Sequence, residues 1–167
     1  MAPVRVVNML MIRADDTPDR NKGAVSGITF NPVSSRESQM PHLHIEYSPT
    51  LERHVDVRDV CRAAWEVMAT DDLFPRAGIR VRAFAADHCI VADDHPDNDF
   101  LAMTLSVGSG REQSALKAAG DRLFAAVQAA LAEVLAAPHF ALSLEIREIN
   151  AELSWKDTPI HARLSRK

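Results

Sequence analysis

The chain has 167 residues, 47% hydrophobic and 25% charged, which fits a single soluble globular domain with a real core. A net charge of −4 argues against nucleic-acid binding as a default role and leaves room for local basic pockets that hold a small acidic ligand. Cys61 and Cys89 show no metal or redox spacing, no apolar run approaches the roughly 20 residues of a bilayer-crossing helix, and residues 4–12 lack the flanks of a secretion signal, so a cytoplasmic protein is expected.

Residues 1–40 hold one short apolar stretch and then tracts rich in Asp, Asn, Ser, Gly and Pro at 15–22 and 31–39. Nothing in them has the periodicity of a complete folding unit. They are expected to be a flexible extension, one strand packed on the domain, or the result of a start assigned upstream of the true one. The domain proper is expected over 41–167. The Met40-Pro41 boundary therefore matters chemically. A chain that begins at Pro41 carries a basic secondary amine there, and a chain that runs through it carries an amide with no basicity.

From His42 to Tyr47, Leu43, Ile45 and Tyr47 alternate with His42, His44 and Glu46, which predicts a strand with one apolar face. Asp56 reads as the N-cap of a helix in which Val57, Val60, Cys61, Ala64, Val67 and Met68 recur at helical spacing, with Gly78 beyond its end. Ile79, Val81 and Ala83 then alternate with Arg80 and Arg82, so both arginines point to one side of a second strand. The acidic stretch 93–99 reads as a solvated turn-rich loop. Residues 100–107 read as a third strand ending at Gly108-Ser109-Gly110. A single long helix is expected over 112–137, its stripe formed by Leu116, Ala119, Leu123, Val127, Leu131 and Val134, with Pro138 after its end. Phe140, Leu142, Leu144 and Ile146 mark a fourth strand, and 150–167 is a polar tail with an apolar anchor at Trp155.

Strand–helix–strand thus occurs twice. Such units pair their strands in parallel and lay both helices on one face of a four-stranded sheet, giving a two-layer α/β sandwich. The other face carries His42, His44, Glu46, Arg80 and Arg82 and is covered by no helix of the chain, which favours an oligomer.

Four stretches occur in order with a matching spacing: Pro41-His42-Leu43-His44-Ile45-Glu46-Tyr47-Ser48; Leu73-Phe74-Pro75 with Gly78-Ile79-Arg80; Met103-Thr104-Leu105 with Gly108-Ser109-Gly110-Arg111; and Leu142-Ser143-Leu144-Glu145-Ile146. Together they resemble the 5-carboxymethyl-2-hydroxymuconate isomerases of the tautomerase superfamily, from Pro41 to about Leu164. Trp155-Lys156 and His161-Ala162 in the tail also fit. His44 stands where the family has a more apolar residue. The resemblance implies a tautomerase-like fold of two fused β–α–β units, a homotrimer, and an N-terminal proline acting as base in homoprotocatechuate breakdown. By that resemblance Pro41 is the base, and Arg80 and Arg111 are the substrate-binding arginines, one of them possibly reaching across a subunit interface.

The chemistry of these residue types agrees. Moving a proton from an enol oxygen to a distant carbon of a conjugated diacid needs one group that accepts and returns it. An α-amino group has a reference pKa of about 7.7–8.0, and cations or desolvation lower it towards the ambient range where a base works best. Guanidinium groups bind carboxylates in bidentate fashion and stabilise a dienolate-like transition state. Loop amides around Gly108-Ser109-Gly110 can assist Arg111 in holding an anion, although the loop lacks the glycine and lysine spacing of nucleotide sites. Two histidines on one strand without a third ligand make a poor zinc site, so neither metal nor cofactor is expected.

The expected activity is keto–enol tautomerisation of 5-carboxymethyl-2-hydroxymuconate or a similar unsaturated diacid. The expected partners are a small di- or tricarboxylate and two further copies of the chain, with no nucleic acid and no membrane. The alternatives are a tautomerase for a different keto acid, and a non-catalytic oligomeric binding protein whose Pro41 is blocked by residues 1–40.

Overall fold

In the computed structural model of the protein, residues 40–164 are described. The expectations for residues 1–39, and for the last three residues of the tail, lie outside the described residues. The elements follow as β1 (His42–Tyr47), α1 (Val57–Thr70), β2 (Arg80–Ala85), β3 (Asp99–Gly108), α2 (Gln113–Ala130), α3 (Ala132–Leu135), β4 (Phe140–Ile149) and α4 (Pro159–Leu164).

The four strands form one sheet in the order β2-β1-β3-β4. β1 pairs in parallel with β2, and β3 in parallel with β4, as expected for two strand–helix–strand units. The units join through antiparallel β1 and β3, with His42 opposite Ser106 and Tyr47 opposite Leu101. Alternation in the strands settles which side faces inward. Leu43, Ile45, Leu101, Met103, Leu105 and Val107 are buried and form a single core with Val60, Ala64 and Met68 of α1 and Leu116, Leu123 and Val127 of α2. Both helices therefore cover the same sheet face. α1 begins where expected, since the Asp56 carboxylate accepts the Arg58 N–H at 2.8 Å and satisfies one of the otherwise unpaired amides of its first turn.

The opposite face reads across the strands as Arg80–His42–Ser106–Arg147, then Arg82–His44–Thr104–Glu145, then Phe84–Glu46–Ala102–Ser143. His44 is exposed and packs its ring 4.9 Å from that of Phe84.

Two expectations are corrected. The long helix is broken at Leu131, where ψ turns to 16° and the amide is shared between the Val127 and Gln128 carbonyls. The break keeps Leu131 buried while the chain bends into the single turn of α3. Neither Gly nor Pro marks it, so the apolar stripe ran on unbroken in the sequence. Trp155 is also no anchor within the protomer: it is 86% exposed, because no element of the described chain faces it. The tail instead docks through α4, which packs on the turn Arg76–Gly78 ahead of β2.

One consequence positions the site. β1 and β2 start where the antiparallel β3 ends, so Pro41, Arg80 and the loop after Gly108 share one end of the sheet. The loop 86–98 and the turn before β4 occupy the other.

Candidate active site

Pro41 is buried at the head of β1. A proline is tolerated there because the first residue of a strand need not donate to the ladder. Its carbonyl accepts the Arg80 N–H at 3.1 Å, which locks the start of β2 against it. Its nitrogen is joined to Met40, which is itself buried at 6% exposure.

Arg80 opens β2 level with His42, one residue from Pro41. Its Nη1 lies 3.2 Å from the Met40 Sδ, a weak acceptor for a guanidinium donor. Arg82 sits two residues farther along, level with His44, on the same face. Proximity to Pro41 thus favours Arg80 over Arg82.

Arg111 reaches back from the loop after β3. Its Nη1 donates to the Gly108 carbonyl at 2.6 Å, and its Nε and Nη2 donate to the Leu73 carbonyl at 3.4 and 3.3 Å. The side chain brackets the end of β3 to the segment that follows α1. A guanidinium carries five N–H groups, so two remain for a further acceptor. Burial lowers its pKa and Glu148 opposes that shift, but an arginine stays charged at neutral pH. Gly110, with φ 90°, makes the turn that aims this arginine backwards, in a region most side chains avoid.

The sequence places His42 on the outer sheet face and makes it half of a poor zinc pair. The structure gives it a different standing. Its Nδ1 is buried with no hydrogen-bond partner among the described residues. Its pKa lies below the ordinary value because of burial first, and then because of Arg80, Arg82 and Lys156. The end of the sheet beside Pro41 is therefore strongly cationic. Lys156 belongs to that field, and its arrival from the tail was not legible in the sequence, where only strand and helix periods can be followed.

A cavity of about 410 Å³ lies at the other end, lined by Thr50, His54, Asp97, Glu133 and His139 among others. Pro41, Arg80 and Arg111 do not line it. Their chemistry, and not concavity, marks the candidate site, because no element among the described residues covers the sheet face beside them.

The sequence and the fold have known relatives. The sequence profile of a family described as 5-carboxymethyl-2-hydroxymuconate isomerase matches residues 41–164. The 5-carboxymethyl-2-hydroxymuconate Delta-isomerase of Escherichia coli is 32% identical over 123 residues, which cover 74% of this chain and 98% of that protein. A crystal structure of a 5-carboxymethyl-2-hydroxymuconate isomerase from Deinococcus radiodurans R1 superposes with a TM-score of 0.70 at 35% identity, covering 76% of this chain and 96% of that one. A crystal structure of a 5-carboxymethyl-2-hydroxymuconate delta-isomerase gives 0.68 at 32% identity, covering 75% and 93%. The two fused β–α–β units are the tautomerase fold that the resemblance implied. With most of the described domain matched in sequence and in architecture, the chain belongs to the 5-carboxymethyl-2-hydroxymuconate isomerase family.

Proposed function

We propose that the protein is a cofactor-independent isomerase acting on 5-carboxymethyl-2-hydroxymuconate or a similar unsaturated diacid of aromatic catabolism, with Pro41 as the base once it is the N-terminal residue. The secondary amine takes the proton of the substrate's enol hydroxyl as the C=O forms. The double bond shifts along the conjugated system, and the amine returns the proton to the distant carbon. No atom is gained or lost. The cations around His42 lower the amine's pKa and stabilise the dienolate that forms between the two transfers. Arg80 pairs with a substrate carboxylate, and Arg111 contributes its two uncommitted N–H groups while holding the loop in place.

The observation that carries this reading is that family similarity begins at residue 41, the residue whose nitrogen the chemistry needs. Arg80 standing one residue away supports it. Removal of the chain through Met40 has two effects at once: it frees the Pro41 nitrogen, and it releases Arg80 Nη1 from the Met40 sulfur. The same contact favours the second reading. With Met40 retained and buried, both groups are occupied, and the protein is a non-catalytic binding protein of this fold.

One experiment separates the two. Intact mass of the protein purified from its native cells identifies the first residue, and ketonisation of the hydroxymuconate is followed by ultraviolet absorbance. A chain beginning at Pro41 that turns over supports the isomerase. A chain that retains Met40, with no ketonisation, leaves the binding protein standing. Turnover of another unsaturated keto acid, with none of the hydroxymuconate, would redirect the substrate assignment.

The same reading includes a cytoplasmic homotrimer that takes a small anionic substrate and binds neither nucleic acid nor membrane. The sheet face that no element among the described residues covers, and the exposed Phe84 and Trp155, support association. No helix among the described residues is long and apolar enough to cross a membrane.

A further inference from the structure

A second cluster of chemically capable side chains lies at the end of the sheet away from Pro41. His95 and Asp97 stand on the loop between β2 and β3, and His139 on the turn between α3 and β4. The Asp99 N–H donates to the His139 carbonyl at 2.8 Å, which holds the two segments side by side as the parallel strands begin. One ligand atom from each of His95, Asp97 and His139 lies within 4.8 Å of the other two. The rings of His95 and His139 stack at 4.6 Å with 14° between their planes, so the exposed His95 ring must turn out of the stack for both in-plane lone pairs to meet at one ion.

The hydrogen bonds show where the lone pairs are. The Asn98 amide Nδ2 donates to the Val91 carbonyl at 3.0 Å and to the Asp93 Oδ1 at 2.8 Å. Its Oδ1 is therefore the atom facing His139 Nδ1 at 3.2 Å. An amide oxygen only accepts, so His139 carries its proton on Nδ1 and its lone pair on Nε2. A carboxamide that fixes the imidazole tautomer in this way is the outer support typical of a metal-binding histidine. His95 Nδ1 accepts the Asp97 N–H at 3.2 Å and lies 3.9 Å from Asp97 Oδ2, so an ion that takes this lone pair displaces the long amide contact. Four-coordinate bonds of about 2.0–2.1 Å set neighbouring ligand atoms about 3.3 Å apart, so this pair needs to close by about 0.6 Å. At 44% and 74% exposure, the two side chains are free to make that movement.

We propose that His95, Asp97 and His139 form a binding site for a borderline divalent transition ion, Zn²⁺ foremost, which ties the β2–β3 loop to the turn before β4. Two imidazoles and one carboxylate suit Zn²⁺ and its neighbours over Mg²⁺ or Ca²⁺, which prefer oxygen ligands throughout. Asp93 and Asp94 on the same loop add negative charge, and Arg53, which lines the adjoining cavity, is the opposing cation. Asp97 and His139 line that cavity of about 410 Å³, so a remaining coordination position opens to water. The site is independent of the reaction proposed for Pro41.

The test is calorimetric titration of the chelator-stripped full chain with zinc chloride, with imidazole NMR signals followed in parallel. The expected result is one equivalent of Zn²⁺ bound, no comparable binding of Mg²⁺, and shifts confined to His95 and His139 among the seven histidines. His95→Gln and His139→Gln should each weaken binding at least about tenfold, and the double variant should abolish it. Absence of zinc binding by the parent chain would show that the stacked histidines are only a surface contact and would overturn the proposal. Shifts centred on other histidines, or parent-like binding by a folded double variant, would overturn it equally.

Discussion

Replacing Arg111 with alanine separates the carbonyl bracket seen in the structure from the substrate contact proposed for this side chain. The substitution removes the donors that satisfy the Gly108 and Leu73 carbonyls, at 2.6 Å and at 3.3–3.4 Å. Gly108 is buried and Leu73 half-buried, so water reaches the orphaned acceptors poorly. A hydrogen bond from a charged donor contributes about 1.5–3 kcal/mol and an orphaned buried acceptor costs about 1–3 kcal/mol. The partial exposure of Arg111 argues for the low end, so two carbonyls at about 1–2 kcal/mol each give a loss of about 2–4 kcal/mol. At about 2–4 °C per kcal/mol, the melting temperature should fall by about 4–16 °C. Arg111→Lys should lose about half as much, because one ammonium cannot bridge both carbonyls with the fork of a guanidinium. Thermal and urea unfolding followed by circular dichroism measure both variants. A loss below about 0.5 kcal/mol for Arg111→Ala would refute the bracket, since water would then have replaced the arginine. Kinetics of Arg111→Lys well below its transition complete the test. A KM raised while the fold is intact assigns the two remaining N–H groups to substrate, and parent-like kinetics leave the arginine with the bracket alone.

In the chain that begins at Pro41, Pro41→Ala should lower kcat by about 10²–10⁴-fold with little change in melting temperature, because the cyclic secondary amine is lost while the Arg80 N–H keeps its carbonyl partner. Unchanged turnover would remove the proline from the mechanism. His42 makes stability acid-sensitive: its folded pKa lies below the 6.5 of the unfolded chain, so the unfolded state takes up the extra proton first and stability falls as pH drops below about 6.5. His42→Gln should reduce the difference between urea midpoints at about pH 7.5 and about pH 5.5, and equal losses in parent and variant would contradict the assignment. The sole tyrosine, Tyr47, is pushed up to about 12, first by donating its hydroxyl to Glu52 and then by burial. The resulting stability is complete below pH 10 and is lost as pH rises through about 12. Ultraviolet titration should show the late transition, and Glu52→Gln should bring it back towards 10; a parent midpoint already near 10 would refute the pairing.

Much of the architecture was open to reading from local patterns. Leu43, Ile45 and Tyr47 against His42, His44 and Glu46 define a strand and its inward face because side chains alternate with a period of two. Asp56 ahead of Val57, Val60 and Ala64 defines a capped helix for an equally local reason. Two strand–helix–strand units leave few ways to pair, so the two-layer sandwich followed, and the ordered stretches from Pro41 onward identified the family. The break at Leu131 was not legible, because its cause is the packing of a buried leucine and not a residue that breaks helices. The exposed position of Trp155 was equally hidden, since an apolar side chain reads the same whether or not the fold supplies a partner.

The candidate site divides along the same line. The types of its residues, a proline at a chain boundary and arginines at Arg80 and Arg111, were in the sequence and carried the chemistry. Their neighbourhood was not. The antiparallel junction of β1 and β3 brings the Arg111 loop to the end of the sheet where Pro41 lies. The Met40 sulfur on Arg80, the Leu73 carbonyl held by Arg111, and the field of Arg80, Arg82 and Lys156 around His42 all join residues distant in the chain. Sequence alone determined which groups could react, because residue type sets charge, basicity and period. Tertiary structure decided which of them meet, because hydrogen bonds and electrostatic fields act through space over a few ångströms and take no account of separation along the chain.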